Sequence, residues 1–245
     1  MKVALFIPCY VDVLSPGTAA ASWKLLRYLG VDADYPDRQT CCGQPMAVAG
    51  FEKRSHPLAE KFEEKFGGYD FVVSPSVSCT AFVKEHHPHI LGPEHGCGAS
   101  SRTVDMVTFL HDILKVDRPL GRFPHRVSLH NSCHGVRVLG LSSPSEQNIS
   151  PYNKMADLLS LVEGIEVVEP ERKDECCGFG GMFTMEESAV SRRMGRDKLS
   201  RHVATGAEYV TGPDVACLMH LKRFAGECGA GIKFRHVVEI LAEGL

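Results

Sequence analysis

The chain lacks the features of a membrane-spanning, exported or strongly charged protein. Its 245 residues hold no run near the roughly 18 apolar residues of a membrane-spanning helix. The first residues, 1–14, are too short and too interrupted, by Pro8 and Cys9, for a secretory signal. Lys plus Arg number 27 and Asp plus Glu 30, so the formal charge of −3 excludes a strong attraction to nucleic acid or acidic lipid. We therefore expect a cytoplasmic protein with no membrane span and no nucleic-acid partner.

Familiar catalytic motifs are also missing. The sequence has no Ser–His–Asp order, no His-Glu-x-x-His, no paired-carboxylate motif and no Walker A sequence. Nothing therefore indicates an acid–base or nucleophilic catalyst, or a nucleotide site. Low-complexity tracts are absent and 44% of the residues are hydrophobic, which is typical of a folded globular protein.

Cysteine, by contrast, is abundant, with ten in the chain. In a reducing cytosol such a pattern indicates metal or redox chemistry more than disulfides. Eight of the ten form two sets of four in the same order: a cysteine after an apolar run, a Cys-Cys-Gly tripeptide, and a cysteine ending Pro-x-x-x-Cys. The sets are Cys9, Cys41, Cys42 and Cys79, then Cys133, Cys176, Cys177 and Cys217. This internal repeat predicts two homologous halves, with Cys97 and Cys228 outside the scheme.

Short apolar segments alternate with helical patterns along both halves. The segments 2–8, 70–74, 126–130, 164–168 and 207–211 predict strands, and 19–29, 57–66, 152–161 and 187–203 predict helices. Each half closes with an apolar stretch predicted as helix, 104–110 and 236–241. The alternation predicts an α/β fold of two homologous halves, each a small, mostly parallel sheet flanked by helices. Residues 116–126, rich in proline, glycine and charge, predict the boundary between a first half, 1–118, and a second, 119–245.

The cysteines fall where a parallel sheet would gather them. Cys9, Cys79, Cys133 and Cys217 all follow predicted strands, and the carboxyl ends of parallel strands meet at one edge. Zinc sites usually use Cys-x(2–4)-Cys knuckles, which are absent, and two adjacent cysteines bind one small ion awkwardly. A multi-iron cluster is larger, and four thiolates match the ligand count of a 4Fe cluster. The pattern favours iron–sulfur, with a closed zinc site or a vicinal-disulfide switch as alternatives.

The two cysteine sets resemble the duplicated cysteine-rich CCG domain. That domain occurs in heterodisulfide reductases, in the iron–sulfur subunits of glycolate and glycerol-3-phosphate oxidases, and in the lactate utilisation protein A group. Segments 41–45, 74–79, 176–181 and 214–218 most resemble the last group, and the resemblance covers nearly the whole chain. It implies an iron–sulfur electron-transfer subunit of an oxidoreductase complex that oxidises L-lactate to pyruvate. It also implies one or two clusters per chain, of the 4Fe-4S type, with the eight cysteines of the two sets as ligands.

The same resemblance implies partners: a ferredoxin-domain iron–sulfur subunit and a third small subunit, lactate utilisation proteins B and C. The fuller motif of the domain ends in Cys-x-x-Cys, but Ser76 and Asp214 occupy the first position of that pair here. This departure disfavours the five-cysteine clusters of the heterodisulfide reductase branch. Two alternatives stay open: a heterodisulfide-reductase-like subunit that reduces a disulfide at its cluster, and a zinc-stabilised scaffold with no redox role.

Several other residues have two interpretations. His134 is either a further ligand or hydrogen-bond donor to cluster sulfur, or a histidine that packs the strand end. The histidines of 86–89, with His95 and Cys97, are expected in a polar surface loop rather than a second metal site. The basic run 192–198 is expected to be a solvated helix face, with a docking surface as the alternative.

Overall fold

Two four-stranded parallel sheets organise the chain in the computed structural model, which describes residues 1–93 and 98–245. In chain order the strands are β1 (Val3–Leu5), β2 (Ala33–Asp34), β3 (Phe71–Ser74), β4 (Thr103–Asp105), β5 (Leu120–Arg122), β6 (Arg126–Leu129), β7 (Val162–Glu163), β8 (Glu166–Val168), β9 (Tyr209–Gly212) and β10 (Lys233–His236). The first sheet has the order β2-β1-β3-β4, and the second has the order β8-β6-β9-β10. Every neighbouring pair within them is parallel.

The two sheets repeat one topology. β1 and β6 lie at corresponding positions, as do β3 and β9, and the register of their pairing is the same. The backbone hydrogen bond just beyond each strand also recurs: Phe6 N–H donates to Val73 O at 2.8 Å, and His130 N–H donates to Thr211 O at 2.7 Å. The predicted α/β class, with two homologous halves built on parallel sheets, is confirmed.

Helices connect the strands and cover the sheets. They are α1 (Cys9–Leu14), α2 (Pro16–Tyr28), α3 (Gln44–Val48), α4 (Glu52–Phe66), α5 (Val77–Leu91), α6 (Met106–Thr108), α7 (Cys133–Arg137), α8 (Lys154–Leu159), α9 (Phe183–Glu186), α10 (Ser188–Ala204), α11 (Val215–Cys228) and α12 (Val237–Leu241). In α4 the buried positions Ser55, Ala59, Phe62 and Phe66 recur every three or four residues, so one face packs inward. Over the described part of the chain, none of the helices combines the length and apolar character needed to cross a bilayer.

The predicted strands and helices are present, with shifted ends. The helix predicted from Pro57 begins at Glu52, because proline is accommodated in its second turn. The closing stretches were predicted entirely as helix, and this is wrong at their starts. Val104 belongs to β4 and His236 to β10, and each strand leads into a short helix. Strands of three or four residues at a sheet edge are too short to show a clear alternation in the sequence.

One hydrophobic core runs through both halves. Buried side chains of β1, among them Val3 and Leu5, belong to the same packed cluster as Val127 and Leu129 of β6. The predicted boundary segment also contributes: Leu120 lies in β5, which pairs with β7, and both Leu120 and Phe123 are buried. The division at residues 118 and 119 stays a prediction, but the two sheets share their interior.

Candidate metal centres

The first cysteine quartet is assembled by three segments that follow strands of the first sheet. Cys9 is the first residue of α1, and the Cys41-Cys42 pair lies between β2 and α3. Cys79 lies in the first turn of α5, directly after β3. The Sγ atoms of Cys9 and Cys41 are 3.6 Å apart. Cys42 interacts with the sulfurs of Cys41 and Cys79, so the parallel strands bring four cysteines that are far apart in the sequence to one place.

The second half repeats this arrangement. Cys133 opens α7, the Cys176-Cys177 pair lies between β8 and α9, and Cys217 lies in the first turn of α11. Cys177 is buried and the other three are half-buried. The cysteines within the described residues are free thiols, so neither quartet is organised around a disulfide.

Hydrogen bonding concentrates negative charge on one sulfur of each quartet. The pKa of Cys41 is lowered because Cys42 and Cys9 donate to its sulfur, and the pKa values of Cys9 and Cys42 are raised correspondingly. In the second quartet the pKa of Cys176 is lowered in the same way, by Cys133 and then Cys177. A bound cation would favour deprotonation of the remaining thiols, since thiolate is the form that binds metal.

A glycine follows each cysteine pair and its backbone contacts the pair. The N–H of Gly43 donates to Cys41 Sγ at 3.4 Å, and that of Gly178 donates to Cys176 Sγ at 3.3 Å. Both glycines have positive φ, 94° and 84°. A Cβ would lie 2.9 Å from the Cβ of Ser55 in the first half, and 2.8 Å from that of Met194 in the second. Only glycine satisfies both the backbone angle and the close approach.

Ser76 and Asp214, which replace the first cysteine of the fuller Cys-x-x-Cys motif, join the two halves. The Asp214 carboxylate accepts from Ala216 N–H at 3.0 Å in its own helix and from Ser78 N–H at 2.8 Å in the other half. Its Oδ2 also lies 3.4 Å from the Ser76 hydroxyl, which itself accepts from Cys79 N–H at 3.5 Å. These two positions therefore cap the helices that carry Cys79 and Cys217.

The histidines of 86–89 were expected in a surface loop, and this is wrong. They lie in α5, where Pro88 is accommodated within the helix. His87 is completely buried, and its Nε2 lies 2.8 Å from the carbonyl oxygen of Cys42, so it supports the first cysteine pair. His95 and Cys97 lie outside the described residues. The sequence favoured a loop because proline usually ends a helix, and nothing local shows that a histidine side chain is buried.

The basic run of α10 is only partly a solvated face. Its three arginines, at 192, 193 and 196, are exposed or half-buried and pair with Glu227 or Asp197. Lys198 is buried instead, and its Nζ donates to the carbonyl oxygens of Arg172 at 3.1 Å and Lys173 at 2.9 Å. The expectation for Lys198 is therefore wrong, because helical spacing places position 198 on the same inward face as the buried positions 191, 195 and 202.

Two further residues agree with interpretations that the sequence allowed. His134 Nδ1 lies 3.8 Å from Cys133 Sγ, which is compatible with a hydrogen bond to that sulfur. Cys228 is exposed at the end of α11, apart from both quartets, and its thiol points to Ala225 O at 3.7 Å.

His130 was not among the predicted site residues. It follows β6 directly and is completely buried, and neither ring nitrogen has a hydrogen-bond partner among residues 1–93 and 98–245. A ring nitrogen and the sulfurs of Cys177 and Cys217 all lie within 4.8 Å of one another. The available signal was a histidine at the end of a predicted strand, three positions before a quartet cysteine, where the first half has Phe6.

The donor set of each quartet fits a thiophilic metal group. Four cysteine sulfurs converge from loops at one sheet edge, and soft thiolate ligands select iron–sulfur clusters, zinc or copper(I). Backbone N–H groups at Gly43 and Gly178 already point at sulfur, as the surroundings of iron–sulfur clusters do.

The chain was compared with protein families, with curated proteins and with solved structures. The cysteine-rich domain family, CCG, matches residues 3–84 and again 127–222, one match in each half. The lactate utilization protein A of Geobacillus thermodenitrificans is 34% identical over 98% of this chain and 98% of its own length. That of Bacillus subtilis strain 168 is 32% identical over 98% of this chain and 99% of its own. A solved aspartate racemase homologue from Pyrococcus horikoshii OT3 covers 98% of this chain and 95% of its own, at 14% identity and a TM-score of 0.32, too low to carry an argument.

Proposed function

Because the chain belongs to the cysteine-rich CCG domain family, we propose that it is the iron–sulfur subunit of a complex that oxidises L-lactate to pyruvate. Its task is to pass electrons between a partner and an acceptor, one at a time. The observation that carries the proposal is the convergence of four cysteines at the same edge of two repeated sheets. The relatives named lactate utilization protein A are the reason for proposing lactate as the substrate of the complex.

Each quartet holds one 4Fe-4S cluster in this proposal. The ligands are Cys9, Cys41, Cys42 and Cys79 in the first half and Cys133, Cys176, Cys177 and Cys217 in the second. Adjacent cysteines suit a cluster because their sulfurs can bind different irons. When bound, the clusters supply reversible one-electron chemistry, while the chain contributes thiolate ligands, N–H donors at Gly43 and Gly178, and a largely buried setting.

Metal analysis tests this proposal directly. We expect the full chain, purified without oxygen, to be brown and to contain about four irons and four acid-labile sulfides per quartet. An EPR signal should appear on reduction. Colourless protein that carries zinc at both quartets would contradict the proposal and favour the scaffold alternative.

Cysteine variants test the assignment of ligands. Cys42→Ser and Cys177→Ser should each lower bound iron by about half, since each removes a ligand from one cluster only. Cys228→Ser is the matched control, because its thiol is exposed and remote from both quartets, and it should leave the iron content unchanged. Equal loss of iron in the control would show that the quartets are wrongly assigned.

The proposal requires a docking surface for a partner in the cytoplasm, with the ferredoxin-domain subunit as its first occupant. The two halves meet near the quartets where Tyr10, beside Cys9, packs against Phe179, with ring centroids 6.0 Å apart. The neighbouring helices expose apolar side chains: Val13 of α1 is 72% exposed and Met185 of α9 is 75% exposed. Contiguous exposed apolar patches commonly mark protein contacts, and in this proposal Val13 and Met185 belong to the patch that the partner covers.

Charge insertion tests that surface. Val13→Glu and Met185→Glu should each weaken binding of the purified ferredoxin-domain partner at least tenfold, because a carboxylate would have to be desolvated. Val203→Glu is the control, since Val203 is 45% exposed near the opposite end of α10. Binding that is unchanged by the first two variants would place the partner elsewhere.

A further inference from the structure

The repeat allows the surroundings of the two quartets to be compared position by position. The sheet registers make Phe6 and His130 equivalent, because each lies three residues before the first cysteine and donates its N–H to the neighbouring strand. Equivalent positions behind the first quartet carry phenylalanines, whereas those behind the second carry titratable side chains. The buried positions 55, 59, 62 and 66 of α4 and 191, 195, 198 and 202 of α10 have the same spacing, which pairs Phe62 with Lys198 and Phe66 with His202. Phe6 is paired with His130, and Phe82 with His220, because each lies three residues from the corresponding quartet cysteine.

Behind the first quartet the packing is aromatic. The ring of Phe6 lies 5.2 Å from that of Phe62 and 5.6 Å from that of Phe66. All three side chains are buried in the cluster that includes Cys42 and Cys79. This half offers no side-chain donor at the position of His130.

Behind the second quartet the polar side chains are mostly satisfied by the protein. His202 Nδ1 lies 2.8 Å from the Ser128 hydroxyl, although its Nε2 has no partner among the described residues, and Lys198 donates to two backbone carbonyls. His130 is different, since both of its ring nitrogens are buried and neither has a partner in the part of the chain that the structure describes. Leaving a buried polar group unpaired destabilises the fold, so a partner for this ring is expected.

An imidazole in any protonation state carries at least one N–H donor. The groups gathered with a ring nitrogen of His130 are the sulfurs of Cys177 and Cys217, within 4.8 Å. Metal-bound thiolates and cluster sulfides accept hydrogen bonds, and such contacts change the properties of the metal group. Sulfur is therefore the acceptor gathered at this ring nitrogen; a further unpartnered ring nitrogen among the described residues is Nε2 of His202, whose ring centroid lies 5.8 Å from that of His130.

We propose that His130 donates a hydrogen bond to sulfur of the metal group held by the second quartet, which makes the two metal sites inequivalent. The inference rests on the proposed function in taking the quartets as metal sites. His130 acts as a positioning and tuning residue rather than a ligand. A donor to sulfur stabilises the more negative, reduced state, so the second site has the higher reduction potential and is the electron-accepting one of the pair.

Potentiometric EPR of the full chain, reconstituted without oxygen with iron and sulfide, tests the proposal. We expect two distinct potentials in the unsubstituted chain. His130→Phe, which copies the first half, should lower the higher potential and leave the other unchanged. The reciprocal Phe6→His should raise the lower potential, and His130→Gln, which keeps an N–H donor, should restore part of the loss.

Isotope labelling keeps the test independent of whether the variants at positions 6 and 130 fold. With ¹⁵N-histidine in a His134→Gln chain, which removes the other histidine beside this quartet, pulsed EPR should show one weak nitrogen coupling at the higher-potential cluster, as expected for a hydrogen bond from His130. A coupling large enough for an iron–nitrogen bond, no coupling at all, or potentials unchanged in His130→Phe would overturn the proposal.

Zinc binding separates this inference from the proposed function. If the chain binds no iron–sulfur cluster, a titration of the metal-free chain with Zn²⁺ still reports on His130. Loss of a neighbouring hydrogen bond typically costs 10–100-fold in metal affinity. We therefore expect His130→Phe to weaken only the second Zn²⁺ site by that factor, and equal affinity would overturn the inference.

Discussion

At the residue scale, the two glycines after the cysteine pairs show how one small residue organises a sulfur site. Gly43 and Gly178 have the left-handed backbone that brings their N–H groups onto the preceding cysteine sulfur. A neighbouring helix, α4 or α10, closes against each glycine where a side chain would stand. The tripeptide could be recognised from the sequence because it recurs, but this close packing could not.

Alanine at these glycines should destabilise the chain. Gly43→Ala and Gly178→Ala combine an unfavourable φ with a steric clash, so we expect each to cost about 1–3 kcal/mol. For a chain of this length that corresponds to about 2–4 °C in Tm per kcal/mol. Gly50→Ala is the matched control, because Gly50 also has positive φ, 82°, but has open space around it. Thermal melts in which all three variants shift equally would show that the contact with the helix contributes nothing.

Other residues at the sites show the limit of sequence reasoning. The eight quartet cysteines were predicted because two copies of one pattern support each other. His130 and Lys198 were not predicted as buried groups, since a lone polar residue in an apolar strand or on a charged helix has no local pattern that reveals its surroundings. Their burial is set by strands and helices that are distant in the sequence and pack around them only in the folded chain.

At the element scale, the central strands β1, β3, β6 and β9 and the edge strand β8 were predicted, whereas the edge strands β2, β4 and β10 were not. β4 and β10 have three and four residues, and they pair on one side only, so their sequences resemble the start of the helix that follows. The first turns of helices α5 and α11 are joined across the two halves by the carboxylate of Asp214, which accepts hydrogen bonds from Ser78 N–H and Ala216 N–H. This junction explains why the missing cysteines at 76 and 214 are tolerated: both positions serve helix capping instead.

Removing the Asp214 carboxylate should therefore weaken both halves at once. Asp214→Ala deletes a helix cap, worth about 0.5–2 kcal/mol. It also leaves the N–H of the half-buried Ser78 without its acceptor, which adds about 1 kcal/mol. Urea unfolding of the full chain should reveal the combined loss. Asp214→Asn retains one acceptor oxygen and should lose clearly less, so equal losses would argue that the acceptor is unimportant.

At the scale of the whole molecule, buried neutral histidines make stability depend on pH. Burial lowers the pKa of His202 to about 3, and burial also lowers the pKa of His236. The unfolded histidine has a pKa near 6.5, so the native state binds fewer protons than the unfolded state below that value. The free energy of unfolding is thus greatest above about pH 6.5 and falls as the pH drops toward the folded pKa.

His202→Phe, which copies Phe66 of the first half, tests this dependence. We expect its free energy of unfolding to fall less steeply between pH 7 and 5.5 than that of the unsubstituted chain, by roughly 1 kcal/mol over that interval. Ser128, Lys198 and His130 face the ring, and of these Lys198 adds a positive charge that opposes protonation. Denaturant unfolding at several pH values measures the slopes, and identical slopes would exclude a contribution from His202.

The interior shared by both sheets also fixes the distance between the two cysteine quartets. Domains tied by a flexible tether swing apart and together, whereas layers joined through one packed interior keep a constant separation. In the proposed function, electrons tunnel between the two metal groups at a rate that falls steeply with the distance between them, so the packed interior would fix that rate. Mutations that loosen the interior would then change the electron-transfer rate even where both cysteine quartets are intact.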